Sequence, residues 1–171
     1  MKNLIIGIIV GLCLPVIAGY IFIRSGGMPV ATKGPPLPLE QTIVKMALRA
    51  AIGTEKDRSS PLQATEQDFI SGAKLYVTNC AACHGTLKST PTAIAKGLFP
   101  KPPQLFEPDN GVTDDPIGKI YWKVKNGIRL TGMPGFVDQL TDTELWVVSE
   151  LLQKADKLPV SVQKELTIQP R

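Results

Sequence analysis

Apolar positions along this chain follow two regimes. From Leu4 to Ile23, "LIIGIIVGLCLPVIAGYIFI" runs without a single charge. Twenty residues at about 1.5 Å each make about 30 Å of helix, the thickness of a bilayer's hydrocarbon core. Beyond it the pattern turns amphipathic and helical. "EQTIVKMALRAAI" places Gln41, Lys45 and Arg49 four apart as a polar stripe, with Ile43, Val44, Met46, Ala47, Leu48, Ala50 and Ala51 around the rest. That spacing predicts a helix over 39–52 whose broad apolar face needs cover from the main domain, a partner or a bilayer surface.

From Thr65 the signals describe a compact helical domain. Thr65 and Asp68 in "TEQD" form a variant capping box for a helix running towards Tyr76 and Cys80. "TPTAIAKG" predicts a short helix capped by Thr90, with Pro91 in its first turn and Gly97 at its stop. "LFPKPPQLFEPDNG" is too rich in proline to be anything but loop. "TDDPIGKIYWKVKNG" predicts a helix with acids in its first turn, lysines in its last and Gly127 at its end. In "TDTELWVVSELLQKA", Thr141 and Glu144 complete a full capping box. No alternating strand pattern and no internal repeat appears, so the fold class is all-α.

The expected organisation is an N-terminal transmembrane anchor over 1–24, a Pro/Gly-rich linker with the juxtamembrane helix over 25–64, a folded domain over 65–157 and a C-terminal tail over 158–171. Gly26, Gly27, Pro35, Pro36 and Pro38 make the linker part flexible and part extended; "GTEKDRSSP" reads as loop. A cleaved signal peptide is the rival for the first segment, since Lys2 precedes it. Its apolar run is about 7–15 residues, with a small-residue cleavage site behind it. This run is longer, the small residues Ala18 and Gly19 lie inside it, and Leu12 before Cys13 does not suit a lipoprotein site. Gly7, Gly11 and Gly19 share one face of the span and would admit a second membrane helix.

Composition refines this picture in one respect. The net charge of +4 is not a property of the whole chain. Seven of the nineteen basic residues and three of the fifteen acidic ones precede Thr65, leaving twelve of each beyond it. The folded part is neutral and gives no footprint for nucleic acid. The basic excess sits where anionic lipid would meet it.

The chemistry concentrates in "NCAACHG", which holds Cys80, Cys83 and the one histidine, His84. Cys-x-x-Cys admits several readings. Zinc needs about four nitrogen, sulfur or carboxylate ligands, and outside the span no other cysteine or histidine exists. A thioredoxin-type dithiol wants a βαβ setting, and no strand precedes this motif. A merely structural cysteine pair is the third. Cys-x-x-Cys-His itself signals covalent haem attachment. Two thiols separated by two small residues reach the two vinyl groups of a porphyrin, and the next imidazole rises beneath the iron. Met133, in "TGMPGF", is the one methionine after residue 46 and therefore the domain's only thioether. A gap-filling methionine is the plain alternative.

On "GAKLYVTNCAACHG", "PKPPQLF", "IYWKVKNGIRLTGMPGF" and "LTDTELWVVSELL", residues 65–155 resemble the monohaem c-type cytochromes of the class I fold. The resemblance implies one haem c attached through Cys80 and Cys83, with His84 and Met133 as its axial ligands. It implies that the Pro103 carbonyl accepts the imidazole's Nδ1 proton and that Trp122 and Arg129 reach the haem propionates. It also implies a helix crossing at Gly72 and Tyr76, received by Val148 and by Leu151 where an aromatic is usual. A periplasmic haem domain, an N-terminus in the cytoplasm and a location on the inner membrane follow from where haem c is attached.

The expected role is a membrane-tethered carrier of single electrons between a membrane-bound donor and acceptor protein, not an enzyme. A haem subunit of a larger respiratory or dehydrogenase complex is the alternative, with a haem sensor or peroxidase behind it. Lys119, Lys123, Lys125 and Arg129 are expected as a basic rim for an acidic docking face.

Overall fold

The structure, a computed structural model, describes residues 1–107 and 111–167. Residues 108–110 of the proline-rich loop and 168–171 of the expected tail lie outside the described residues. Eight α-helices and no strand occur among the described residues: α1 (Lys2–Arg24), α2 (Glu40–Ile52), α3 (Glu66–Asn79), α4 (Ala81–His84), α5 (Ala93–Gly97), α6 (Ile117–Asn126), α7 (Asp142–Gln153) and α8 (Val160–Leu166). They fall into two compact units, Met1–Gln41 and Thr42–Arg171. In the first, α1 is long and apolar enough to cross a membrane.

The second unit is built on α3 and α7. Both begin on the capping boxes that their sequences contain: Thr65 Oγ1 accepts from the Asp68 amide, Thr141 Oγ1 from that of Glu144, and each carboxylate returns to the threonine's amide. Residues Leu145 to Leu152 of α7 are all buried, making it the central helix. The two helices approach closely because Gly72 has no side chain. A Cβ there would stand 3.0 Å from the carbonyl oxygen of Val147. The residue facing Gly72 is thus Val147, one position before the expected Val148. Tyr76, Val148 and Leu151 are buried nearby in the same core.

Helix α6 packs on α7 through a stacked pair, Tyr121 on Trp146, with ring centroids 3.9 Å apart. The guanidinium of Arg58 lies over both rings, 5.1 and 5.2 Å from their centroids. Arg58 arrives there because Gly53–Asp57 is not the loop expected but a 3₁₀ turn docked on α6. The contact is backbone on backbone at Gly118, where a Cβ would meet the Glu55 carbonyl oxygen. Part of the expected linker therefore belongs to the folded domain.

Three local expectations also change. The cap of α5 is Thr92, whose Oγ1 accepts from the Ala95 amide, and not Thr90. Helix α6 starts at Ile117 after Pro116, so Asp114 and Asp115 precede it and leave no acid in its first turn. Asp115 receives Lys119 at 2.5 Å and Lys123 at 3.4 Å. After residue 157 the chain forms α8, whose Val162 and Leu166 are fully buried against the core, where a tail was expected.

Candidate functional site

The Cys-x-x-Cys-His segment is one short turn wedged between the end of α3 and a loop. Cys80 ends α3 and begins α4; Gly85, at a φ of +71°, ends α4. The carbonyl of Cys80 accepts from the Cys83 and His84 amides, and that of Ala81 from the Gly85 amide. Every following carbonyl is held from elsewhere in the domain. Thr92 Oγ1 donates to Ala82 at 2.6 Å, Gln104 Nε2 to Cys83 at 3.1 Å, the Leu105 amide to His84 at 3.2 Å and the Tyr76 hydroxyl to Gly85 at 2.8 Å. With every carbonyl from Cys80 to Gly85 engaged, the backbone of the turn is held firmly.

This fixed turn aims the His84 ring. Its Nδ1 lies 2.8 Å from the carbonyl oxygen of Pro103. A carbonyl only accepts, so Nδ1 carries the proton and Nε2 keeps its lone pair free. Burial pulls the His84 pKa below the ordinary histidine value, and the Pro103 hydrogen bond works against that shift. The ring is thus neutral near pH 7, as a metal-binding imidazole must be.

The two cysteines are free thiols. Burial, and then the neighbouring Cys83, push the Cys80 thiol up to about 12. A thiol so far from ionising is a poor partner in thiol–disulfide exchange. Among the described residues no three histidine, cysteine or carboxylate side chains converge as a metal cluster would require. Both points disfavour the zinc and dithiol readings.

Met133 sits on a loop folded back over the end of α6. Gly127 closes α6 at a φ of +66°, and a Cβ there would meet Gly135 N, the Pro134 carbonyl carbon and Met133 O at 2.4, 2.5 and 2.8 Å. The loop is held by bonds from the Ile128 amide to Met133 O at 3.1 Å and from the Met133 amide to Thr131 Oγ1 at 3.1 Å. Thr131 Oγ1 in turn donates to Ile128 O at 2.6 Å.

Cys80, Cys83, His84, Pro103 and Met133 all line a single cavity, walled mainly by Leu98, Pro102, Leu105, Val124, Phe136 and Leu152. Asn79, Lys101, Lys123 and Thr131 supply its polar edge. Trp122 and Arg129 are not among the residues lining it: Trp122 is half-buried on α6 and Arg129 is exposed. The polar side chains that the cavity offers instead are Asn79, Lys101, Lys123 and Thr131. The expected basic rim is also weaker than its sequence suggests. Lys119 and Lys123 pair with Asp115, and Lys125 lies 3.6 Å from Asp142.

Chemically, an imidazole nitrogen and a thioether sulfur on one apolar cavity suit a metal of intermediate softness carried on a flat apolar ligand. Two free thiols beside them can form thioethers to that ligand. The family model for cytochrome c oxidase, cbb3-type, subunit III matches residues 67–152. No curated protein matches the chain.

Proposed function

The chain belongs to the family of cbb3-type cytochrome c oxidase subunit III through its c-type cytochrome domain, and from that premise we propose that it is a membrane-tethered one-electron carrier. The family implies haem c, and the residues on the cavity fit that group: two thiols, a free imidazole nitrogen and a thioether, enclosed by apolar walls. In this reading Cys80 and Cys83 would hold one haem, and His84 and Met133 would ligate its iron. A haem c held in this way would supply one-electron transfer.

The chain's own residues supply the rest. The Pro103 carbonyl fixes the His84 tautomer and makes its Nε2 more basic. The bonds on Ala82, Cys83, His84 and Gly85 keep the imidazole from moving when charge changes, so little rearrangement accompanies transfer. Met133, a neutral sulfur donor, favours the more reduced metal and raises the potential. Leu98, Leu105, Val124 and Phe136 exclude water and penalise added positive charge in the cavity.

Helix α1, with Arg24 at its end, acts as the anchor in the inner membrane, and the domain from Thr42 faces the periplasm. The tether keeps the domain near membrane-bound electron donors and acceptors and raises its effective concentration there. A subunit within a larger oxidase is the second reading. It is favoured by the family's description and by Gly7, Gly11 and Gly19, around which α1 leaves open space for a close helix.

The observation that carries the proposal is the meeting of His84, tied through Nδ1 to Pro103, with Met133 on one apolar cavity. Potentiometric titration of the purified protein tests it. A single one-electron wave is expected in the native chain, shifted to lower potential in Met133→His. No wave, or a potential indifferent to that substitution, would overturn the assignment.

A further inference from the structure

Helix α2 has an apolar face that the described protein leaves open. Ile43, Val44 and Met46 are exposed by 54%, 45% and 64%, and only the last residue of the helix, Ile52, is buried. At about 100° per residue, Ile43, Val44, Ala47, Ala50 and Ala51 share one side, with Gln41, Lys45 and Arg49 on the other. An apolar face of that breadth marks an interaction surface.

Two observations choose its occupant, given the reading of α1 as a membrane anchor, on which this inference rests. The first is chain length. Arg24 ends α1 and Glu40 begins α2. The fifteen intervening residues reach at most about 50 Å even when fully extended, which keeps α2 within reach of the surface from which α1 emerges. The second is charge. Lys45 and Arg49 lie on the polar side of α2, Arg24 and Lys33 lie upstream, and the acidic Glu40 is engaged by the Leu37 amide at 2.7 Å. A helix with an apolar face and cations on its polar face suits anionic headgroups lying over an acyl layer.

We infer that α2 lies in the plane of an anionic membrane surface with Ile43, Ala47 and Ala50 turned into the lipid. The consequence reaches the haem cavity. Ile52 is buried, and the following 3₁₀ turn is locked onto α6 at Gly118. With α2 seated, the domain is held at the surface and does not swing on a long leash; the free tether shortens to residues 25–39.

The test uses the full haem-loaded chain, labelled in detergent and then placed in phosphatidylcholine–phosphatidylglycerol vesicles with brominated acyl chains. A fluorophore is carried on the thiol introduced by Ile43→Cys, or by Gln41→Cys as control, each in a Cys13→Ser background. Quenching by bromine is expected at position 43 and not at 41, and is expected to fall in vesicles lacking phosphatidylglycerol. A third sample carries the fluorophore on native Cys13, inside α1. Quenching at Cys13 without quenching at 43 would overturn the lipid seat and leave the anchor intact, whether position 43 were open to aqueous iodide or covered by a second copy. Quenching at none of the sites would overturn the anchor and this inference together. Equal quenching at 43 without phosphatidylglycerol would overturn the need for anionic lipid.

Discussion

The backbone of α6 at Gly118 lies against the carbonyl oxygen of Glu55. A Cβ built on Gly118 would stand 2.1 Å from that oxygen, and 2.8 and 2.9 Å from those of Arg58 and Lys56. Backbone carbonyls in a 3₁₀ turn cannot rotate out of the way as a long side chain can. The contact therefore makes the strap before α3 part of the domain's support, and it carries Arg58 onto the Tyr121–Trp146 stack.

Gly118→Ala is accordingly expected to cost about 1–3 kcal/mol, the range for overfilling a packed site. Urea unfolding of the haem-loaded protein measures it. Gly97→Ala is the control, because a Cβ there meets nothing within 4 Å. Equal stability of the two variants would contradict the role given to the strap.

Gly127→Ala acts on the other side of the cavity wall. It adds a side chain at a φ of +66° and drives it into the backbone at Met133, Pro134 and Gly135. Displacement of Met133 is expected to remove the sulfur-to-iron absorption band of the oxidised protein and admit added imidazole to the metal. Attachment at Cys80 and Cys83 should persist. A variant with the native band would show that the loop does not depend on this glycine.

Acid should unfold the domain through its helix caps. Thr65 holds Asp68, and Thr141 holds Glu144, below their ordinary pKa values by hydrogen bonds to the carboxylates. Asp142 is lowered first by the Tyr121 hydroxyl and then by the charges of Lys125 and Arg58. Folded carboxylates with lowered pKa values bind protons less readily than the same groups unfolded. Their stabilisation is complete above about pH 5, beyond the ordinary carboxylate range, and is lost as pH falls through the lowered folded values. Unfolding free energy measured against pH is expected to drop below that point, and less steeply in Asp68→Asn and Glu144→Gln. An unchanged slope in both variants would remove the caps from the explanation.

The features legible in the sequence are those governed by neighbours a few residues apart. Both capping boxes, the stop at Gly127 and the Cys-x-x-Cys-His turn rest on local spacing, and the structure bears out the caps and the stop. The strap at Gly53–Asp57 gave no comparable signal, because its stability comes from Gly118, over sixty residues further on. Helix α8 did carry one: Leu158, Val162 and Leu166 are four apart and all buried. With only seven residues in α8, that period repeats too few times to mark a helix by itself. Thr92 displaced Thr90 as a cap because its hydroxyl also reaches Ala82, a tertiary contact. Trp122 and Arg129 were placed by family likeness alone, and the face of α6 that meets the cavity instead carries Ile120, Lys123 and Val124. Nor did net charge show that Asp115, four residues before Lys119, neutralises part of the lysine row.

Acid–acetone extraction of the denatured, purified chain asks whether a haem is bonded to Cys80 and Cys83. The pigment is predicted to remain with the polypeptide in the native sequence. Pigment passing entirely into the organic phase, or none on the chain at all, would contradict the proposed electron carrier at its base.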